Sequence, residues 1–200
     1  MATLLYVKSS ISGDHGQSSQ LAEQLIADWK AKNPQGEVLT RDLFADEIPH
    51  LDAKRFGALI SSPDERSSEQ QAIVDFSDQL IDEVRQADML VIGVPMYNFG
   101  VPSQMKAWID HLARAGVTFK YTEAGSVGLL EDKPVLLLAT RGGQYKDVGA
   151  DFQIPFVTQF LSFIGLNDTR VIYAEGLAMG EELAQQALSA AKQSLGEQLQ

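Results

Sequence analysis

The amino-acid sequence predicts an α/β domain: a doubly wound, five-stranded parallel sheet in the order 2-1-3-4-5, with helices on both faces. Three observations carry this prediction. Five short apolar runs alternate with segments of helical period, as in repeated strand–helix units. Runs such as Met89 to Val94 and Val135 to Ala139 are continuously apolar, as in strands buried on both faces. The loops after runs one, three and four carry the glycines, hydroxyls and amides. The order 2-1-3-4-5 sets those three strands side by side, and ligands bind such sheets outside the strands' carboxyl ends.

Thr3 to Val7 reads as the first buried strand. The loop that follows, Lys8 to Ser19, is crowded with serines, glycines and one amide. A helix comes next, with Leu21, Leu25, Ile26 and Trp29 on one face and Ser18 or Ser19 as its natural N-cap. Free amides and the helix dipole at such a start favour an anion, although an ordinary capped loop has the same composition. Neither GxxxxGK[ST] nor GxGxxG is present. Asn33-Pro34-Gln35-Gly36 ends the helix, and Glu37 to Asp42 is the second strand. Residues 44–68 hold Pro49, Gly57 and Pro63 without a sustained period, which predicts loops around one short helix.

From Glu69 to Ala87 a stripe of Ile73, Phe76, Leu80, Ile81 and Val84 predicts a core-facing helix. Strand three then runs into Pro95-Met96-Tyr97-Asn98-Phe99-Gly100-Val101-Pro102-Ser103. Two aromatics, an amide and a glycine at a strand's carboxyl end suit a flat, polar-edged ring, or simply a tight turn with packed aromatics. In the helix after it, Met105, Trp108, Ile109 and Leu112 face inward, and His111 beside them reads as structural. Phe119 and Tyr121 alternate with polar residues as in a short hairpin arm. Strand four ends in Thr140-Arg141-Gly142-Gly143, where a glycine pair lets the backbone approach a ligand. A helix over Ile154 to Ile164, strand five over Asp168 to Ala174 and a helix over Gly180 to Gln200 complete a single domain spanning 1–200.

Composition narrows the function. A formal net charge of −11 argues against nucleic acid or an anionic membrane as partner. The absence of cysteine excludes disulfides and thiol catalysis. The N-terminal segment does not read as a signal peptide, and no apolar run approaches membrane-spanning length, so a cytoplasmic location is expected. His15, His50 and His111 lie far in sequence from the loops after strands three and four, so no nucleophile–base pair is visible there.

Five segments together carry a family resemblance: Lys8-Ser9-Ser10, Pro95 to Phe99, Ala113 to Phe119, Arg141-Gly142-Gly143 and Ala174-Glu175-Gly176. The chain resembles, end to end, the bacterial FMN-dependent NADH azoreductases, also called FMN-dependent NADH:quinone oxidoreductases. The resemblance implies a flavodoxin-like homodimer with one FMN per subunit at the dimer interface. It also implies ping-pong transfer from NADH or NADPH to quinones and azo compounds, the latter cleaved to amines. Carried over residue by residue, it puts the phosphate on Ser10 and on Gly16, Gln17 and Ser18. Met96, Tyr97, Asn98 and Phe99 would lie along the isoalloxazine, and Thr140, Arg141, Gly142 and Gly143 would face its pyrimidine edge. Position 16 is often serine in the family and position 140 often serine as well; glycine and threonine stand there here. Phe119, Tyr121 and Phe163 are candidates for an apolar wall at the substrate pocket. Residues 44–68 are the least family-like, which leaves substrate preference open. Two rival readings share the fold. One is a flavodoxin-type electron carrier, disfavoured because the first loop lacks the Thr/Ser-x-Thr-Gly-x-Thr pattern. The other is an NADPH-dependent FMN reductase acting on another acceptor, such as a metal ion or a nitro compound.

Overall fold

The computed structural model describes residues 1–198; Leu199 and Gln200, which the sequence reading placed in the last helix, lie outside the described residues. In chain order the elements are β1 (Thr3–Lys8), α1 (Gln17–Lys32), β2 (Glu37–Asp42), α2 (Ala53–Leu59), α3 (Ser68–Gln86), β3 (Met89–Pro95) and α4 (Ser103–Leu112). Then come β4 (Phe119–Thr122), β5 (Gly125–Gly128), β6 (Val135–Thr140), α5 (Gln153–Ile164), β7 (Thr169–Ala174) and α6 (Glu181–Gln198).

The main sheet runs β2-β1-β3-β6-β7 with every neighbour parallel, which is the expected 2-1-3-4-5 order. Alternation along each strand splits the core into two layers. Leu4, Tyr6, Val91, Leu136, Leu138 and Ile172 face α1 and α6. Leu5, Val7, Leu90, Ile92, Leu137 and Ala139 face α3, α4 and α5. Each fully buried Leu or Ile contributes roughly 1.5–3 kcal/mol, so the central strands anchor the fold. Their carboxyl ends are aligned by register, with Pro95 opposite Thr140 and Val7 opposite Ile92. Just past β1, the Ser9 hydroxyl donates to Gly93 O at 2.6 Å and keeps the first loop against β3.

The expected hairpin arm forms as the antiparallel pair β4–β5. It docks on the end of α5 so closely that a Cβ at Gly128 would stand 2.2 Å from Gly165 N, and Gly165 itself turns left-handed (φ 111°) to end that helix. The 44–68 segment holds the expected short helix, α2, and a single 3₁₀ turn at Pro63–Glu65. His111 is structural: its Nε2–H donates to Pro49 O at 2.9 Å and its ring meets Phe76 edge-on. Burial pushes its pKa down, so it packs as the neutral ring.

Helix ends differ in how they are closed. α3 opens with a capping box, in which Gln70 N donates to Ser67 Oγ (3.2 Å) and Ser67 N to Gln70 Oε1 (2.9 Å). At its far end the Lys133 ammonium donates to three carbonyls, those of Val84, Arg85 and Ala87. It is a cation placed where the helix dipole is negative. α1 departs from the sequence reading: its N-cap is Gly16, which offers no capping side chain, and Ser18 and Ser19 lie inside the helix, buried. Replacing Lys133 by Met should therefore lower unfolding free energy by about 1–3 kcal/mol, the cost of three carbonyls losing a charged donor. Urea denaturation would measure it, and an unchanged midpoint would remove this lysine from the account of α3's stability.

Candidate active site

Three loops converge at the carboxyl edge of β1, β3 and β6. After β1 the chain makes a 3₁₀ turn over Gly13–His15, with Gly13 at φ 56°, and enters α1 at Gly16. Ser10 Oγ accepts Ser12 N at 3.2 Å and lies 3.4 Å from the Tyr97 hydroxyl, which also accepts Ile11 N at 3.2 Å. Tyr97 thus ties the first loop to the second. A Cβ at Gly16 would stand 2.0 Å from Ser10 Oγ, so glycine is what allows the serine hydroxyl to reach the start of α1. With no capping side chain, the first-turn amides and the positive end of the helix dipole are available to an anion.

The second loop is built on a tight reversal. Tyr97 and Gly100 exchange two backbone hydrogen bonds of 3.1 Å each. Asn98 (φ 50°) and Phe99 (φ 66°) between them are both left-handed. Two consecutive positive φ values are those of a type I′ turn, which favours Asn-Gly. Asn98 suits its position; a phenylalanine in this conformation stores strain of about 1–3 kcal/mol. Phe99 is also 58 % exposed and meets Tyr145, on the third loop, edge-on at 5.6 Å.

The third loop is fixed by a buried charge. The Arg141 side chain is 0 % exposed, with Glu175 Oε1 at 2.9 Å, Asp151 Oδ2 at 2.8 Å and the Tyr173 ring centroid at 5.1 Å. Glu175 also accepts the Tyr145 and Lys146 amides, and Asp151 accepts those of Gln153 and Ile154. Burial alone would raise the Asp151 pKa; Arg141 and the two amides outweigh it and hold the carboxyl below its ordinary value. Past the sheet, Leu177, Ala178 and Gly176 donate to the carbonyls of Arg141, Gly142 and Gly143. A trans peptide sets N–H and C=O on opposite sides. The Gly142 and Gly143 amides therefore point away from the 176–178 segment.

Between the loops lies a cleft of about 230 Å³. Of the residues singled out by sequence, Ser10, Gly16, Gln17, Met96, Tyr97, Thr140, Arg141 and Gly142 line it, Arg141 with its guanidinium turned away into the ion cluster. Ser18 does not: it is 1 % exposed, and its Oγ lies against Gly93. Asn98 and Phe99 form the turn beside the cleft, and Gly143 packs under the Tyr145 hydroxyl, 2.7 Å from where a Cβ would stand. Phe119, Tyr121 and Phe163 do come together, as a ring cluster at 4.3 and 5.5 Å on the hairpin and α5, but they are not among the cleft's lining residues.

The sequence reading missed Ser12, Pro95, Leu177 and His15. The three histidines were set aside as distant in sequence, yet the 3₁₀ turn brings His15 onto the cleft wall. The Ala174-Glu175-Gly176 segment was the available signal for Leu177, which follows it directly. No pattern flagged Asp151 or Gln153. Replacing Arg141 by Met should cost about 3–5 kcal/mol, since it leaves two largely buried carboxylates facing each other without their cation. Acid should act on the same cluster. A carboxylate with a depressed folded pKa stabilises fully above its unfolded value of about 3.9 and loses that contribution as pH falls through the folded value. Stability of the native protein should thus fall below about pH 4, and less steeply in an Asp151→Asn variant; parallel pH profiles for the two would dismiss Asp151 as a contributor.

Comparison with known proteins adds to this geometry. A family model described as the flavodoxin-like fold matches residues 2–199. An FMN-dependent NADH:quinone oxidoreductase of Cellvibrio japonicus is 53% identical over 199 residues, covering 100% of this chain and 99% of the relative. One of the same description from Alcanivorax borkumensis is 51% identical, covering 96% of this chain and 97% of its own. Among solved structures, an azoreductase from Bacillus anthracis superposes with a TM-score of 0.91 at 27% identity, covering 100% of this chain and 99% of that one.

Proposed function

This chain belongs to the flavodoxin-like fold family, and from that premise we propose that its cleft is the FMN site of an NADH-dependent oxidoreductase. The protein is an FMN-dependent enzyme that reduces quinones and cleaves aromatic azo compounds with NADH as donor. The observation that carries the site assignment is the uncapped start of α1 at Gly16, set beside an aromatic turn at the sheet's carboxyl edge.

The residues fit the cofactor. Its phosphate, a dianion, matches the first-turn amides from Gln17 onward and the Ser10 hydroxyl that Gly16 admits. Ser18 serves there through its backbone, because its side chain faces the sheet. Met96 and Tyr97 offer a flat apolar surface for the ring, with Asn98 and Phe99 extending it. Thr140 to Gly143 supply the opposite edge. The Gly142 and Gly143 amides are donors suited to negative charge developing on a ring edge, held by a loop that needs no reorganisation. When bound, FMN would supply the two-electron chemistry between NADH and a quinone or azo acceptor. The chain's own task is to bind, orient and exclude water.

The working unit in this reading is a cytoplasmic homodimer. A cleft of about 230 Å³ is below the roughly 300–1,000 Å³ that encloses a whole ligand. Exposed Phe56 on α2, Ile60 just past its end, and Tyr121 on the hairpin are apolar surface that a second copy would cover. The ring cluster of Phe119, Tyr121 and Phe163 would supply an apolar wall for acceptors.

Gln17→Glu tests the phosphate assignment. A carboxylate in the first turn favours the helix but repels a phosphate, so the protein should stay folded while FMN affinity falls by about tenfold or more. Flavin absorbance of the purified variant reads the outcome; full flavin content would move the phosphate elsewhere. In steady state, one pocket serving donor and acceptor in turn should give parallel double-reciprocal lines as quinone is varied. Intersecting lines would instead require both to be bound together.

A further inference from the structure

We propose that Gln153, at the start of α5, is a positioning residue that holds the Tyr97–Gly100 turn in the shape the cofactor meets. This rests on the reading of the cleft as the FMN site. Gln153 is 1 % exposed, and its side-chain Nε2 lies 2.7 Å from Pro95 O and 3.2 Å from Gly100 O. Carbonyl oxygens only accept, so the amide must present its NH₂ to both. Those two carbonyls flank the loop: one closes β3, the other is the last residue of the turn. A single amide thereby clamps the two ends of the segment whose middle, Asn98 and Phe99, is held left-handed against the ordinary preference of a phenylalanine. A strained conformation persists only where its surroundings over-determine it, and this clamp acts on the turn's backbone beside the outside contacts of the Tyr97 hydroxyl and the Phe99 ring.

Gln153 is itself fixed from the other side. Its backbone N–H donates to Asp151 Oδ1 at 3.2 Å, and Asp151 Oδ2 lies 2.8 Å from the Arg141 guanidinium. The chain of contacts runs from Arg141, which begins the glycine loop, through Asp151 and Gln153 to the turn after β3. The two loops that face the ring in this reading are therefore set relative to one another by Asp151 and Gln153, which do not line the cleft, and by the Arg141 guanidinium, which turns away from it. The Gln153 Oε1, buried and without a hydrogen-bond partner, marks the cost of this arrangement; an apolar side chain would satisfy packing better, and only the NH₂ has a task.

The test is a double-mutant cycle read by FMN titration. Gln153→Met keeps the length and removes the donor. Phe99→Gly relieves the turn, because Asn-Gly is the pair that a type I′ turn prefers. Gln153→Met should weaken FMN binding about fivefold to tenfold in the native background, the size of a lost hydrogen bond, and less than about twofold when position 99 is glycine. An equal cost in both backgrounds, or none in the native one, would overturn the proposal, since a merely structural glutamine would not be relieved by a change in the turn. A second readout needs no cofactor: amide exchange in the FMN-free protein should quicken over residues 96–101 in Gln153→Met, and unchanged exchange there would likewise reject the clamp. Were the native protein to bind no FMN, the site assignment would fall while the exchange result still decided the clamp. If Gln153→Met does not fold, Gln153→Asn, with its amide one methylene short, replaces it under the same criteria.

Discussion

Burial of one guanidinium constrains the whole carboxyl edge of the sheet. The Arg141 guanidinium has 0 % side-chain exposure, so its charge must be neutralised in place. Asp151 and Glu175 do this from two different segments, and Tyr173 lends its ring face. Lys146 approaches the same ring at 4.8 Å. Each carboxylate then uses its remaining capacity on backbone amides, Glu175 on the 145–146 segment and Asp151 on the first turn of α5. One buried charge thus specifies how the glycine loop, the start of α5 and the end of β7 sit together. The desolvation that such a cluster demands offsets much of its attraction.

What that frame holds is largely backbone. The start of α1 offers amides without a capping side chain, the turn after β3 offers a reversed main chain, and the third loop offers two glycine amides. Side chains enter mainly to make the backbone available: Gly16 by having none, Ser10 by filling that space, Gln153 by gripping carbonyls. A site of this kind orients a ring and receives charge. It has little to offer to a reaction that needs a nucleophile, which is why the chemistry is the cofactor's.

One of the segments that carry the family resemblance, Ala113 to Phe119, is architecture. Arg114 is buried, reaching Ser77 Oγ at 2.9 Å and Asp78 at 3.1 Å, and Thr118 donates to Leu112 O at 2.6 Å. These contacts close the end of α4 and start the hairpin. Specific sequence is demanded wherever buried polar groups must be satisfied, at a ligand site or away from one.

Strand existence, strand order and the three loops were legible because they follow from local pattern: apolar runs of strand length, helical stripes, and loop chemistry at the carboxyl ends. The hairpin was legible for the same reason, in the alternation of Phe119 and Tyr121. The N-cap of α1 was misread because serine is the better capper in isolation, whereas here Gly16 is required by the approach of Ser10, a contact between residues on opposite sides of a turn. His15 could not be placed without knowing that the chain folds back through a 3₁₀ turn. The resemblance puts Arg141 among the residues at the ring edge; the packing of α5 and β7 adds the two carboxylates that hold its guanidinium. Periodicity is written in neighbours along the chain, so the sequence alone determines elements and their order. Which way a buried polar side chain turns depends on partners 10 and 34 residues away for Arg141 and 58 for Gln153, and that was decided only by the tertiary structure.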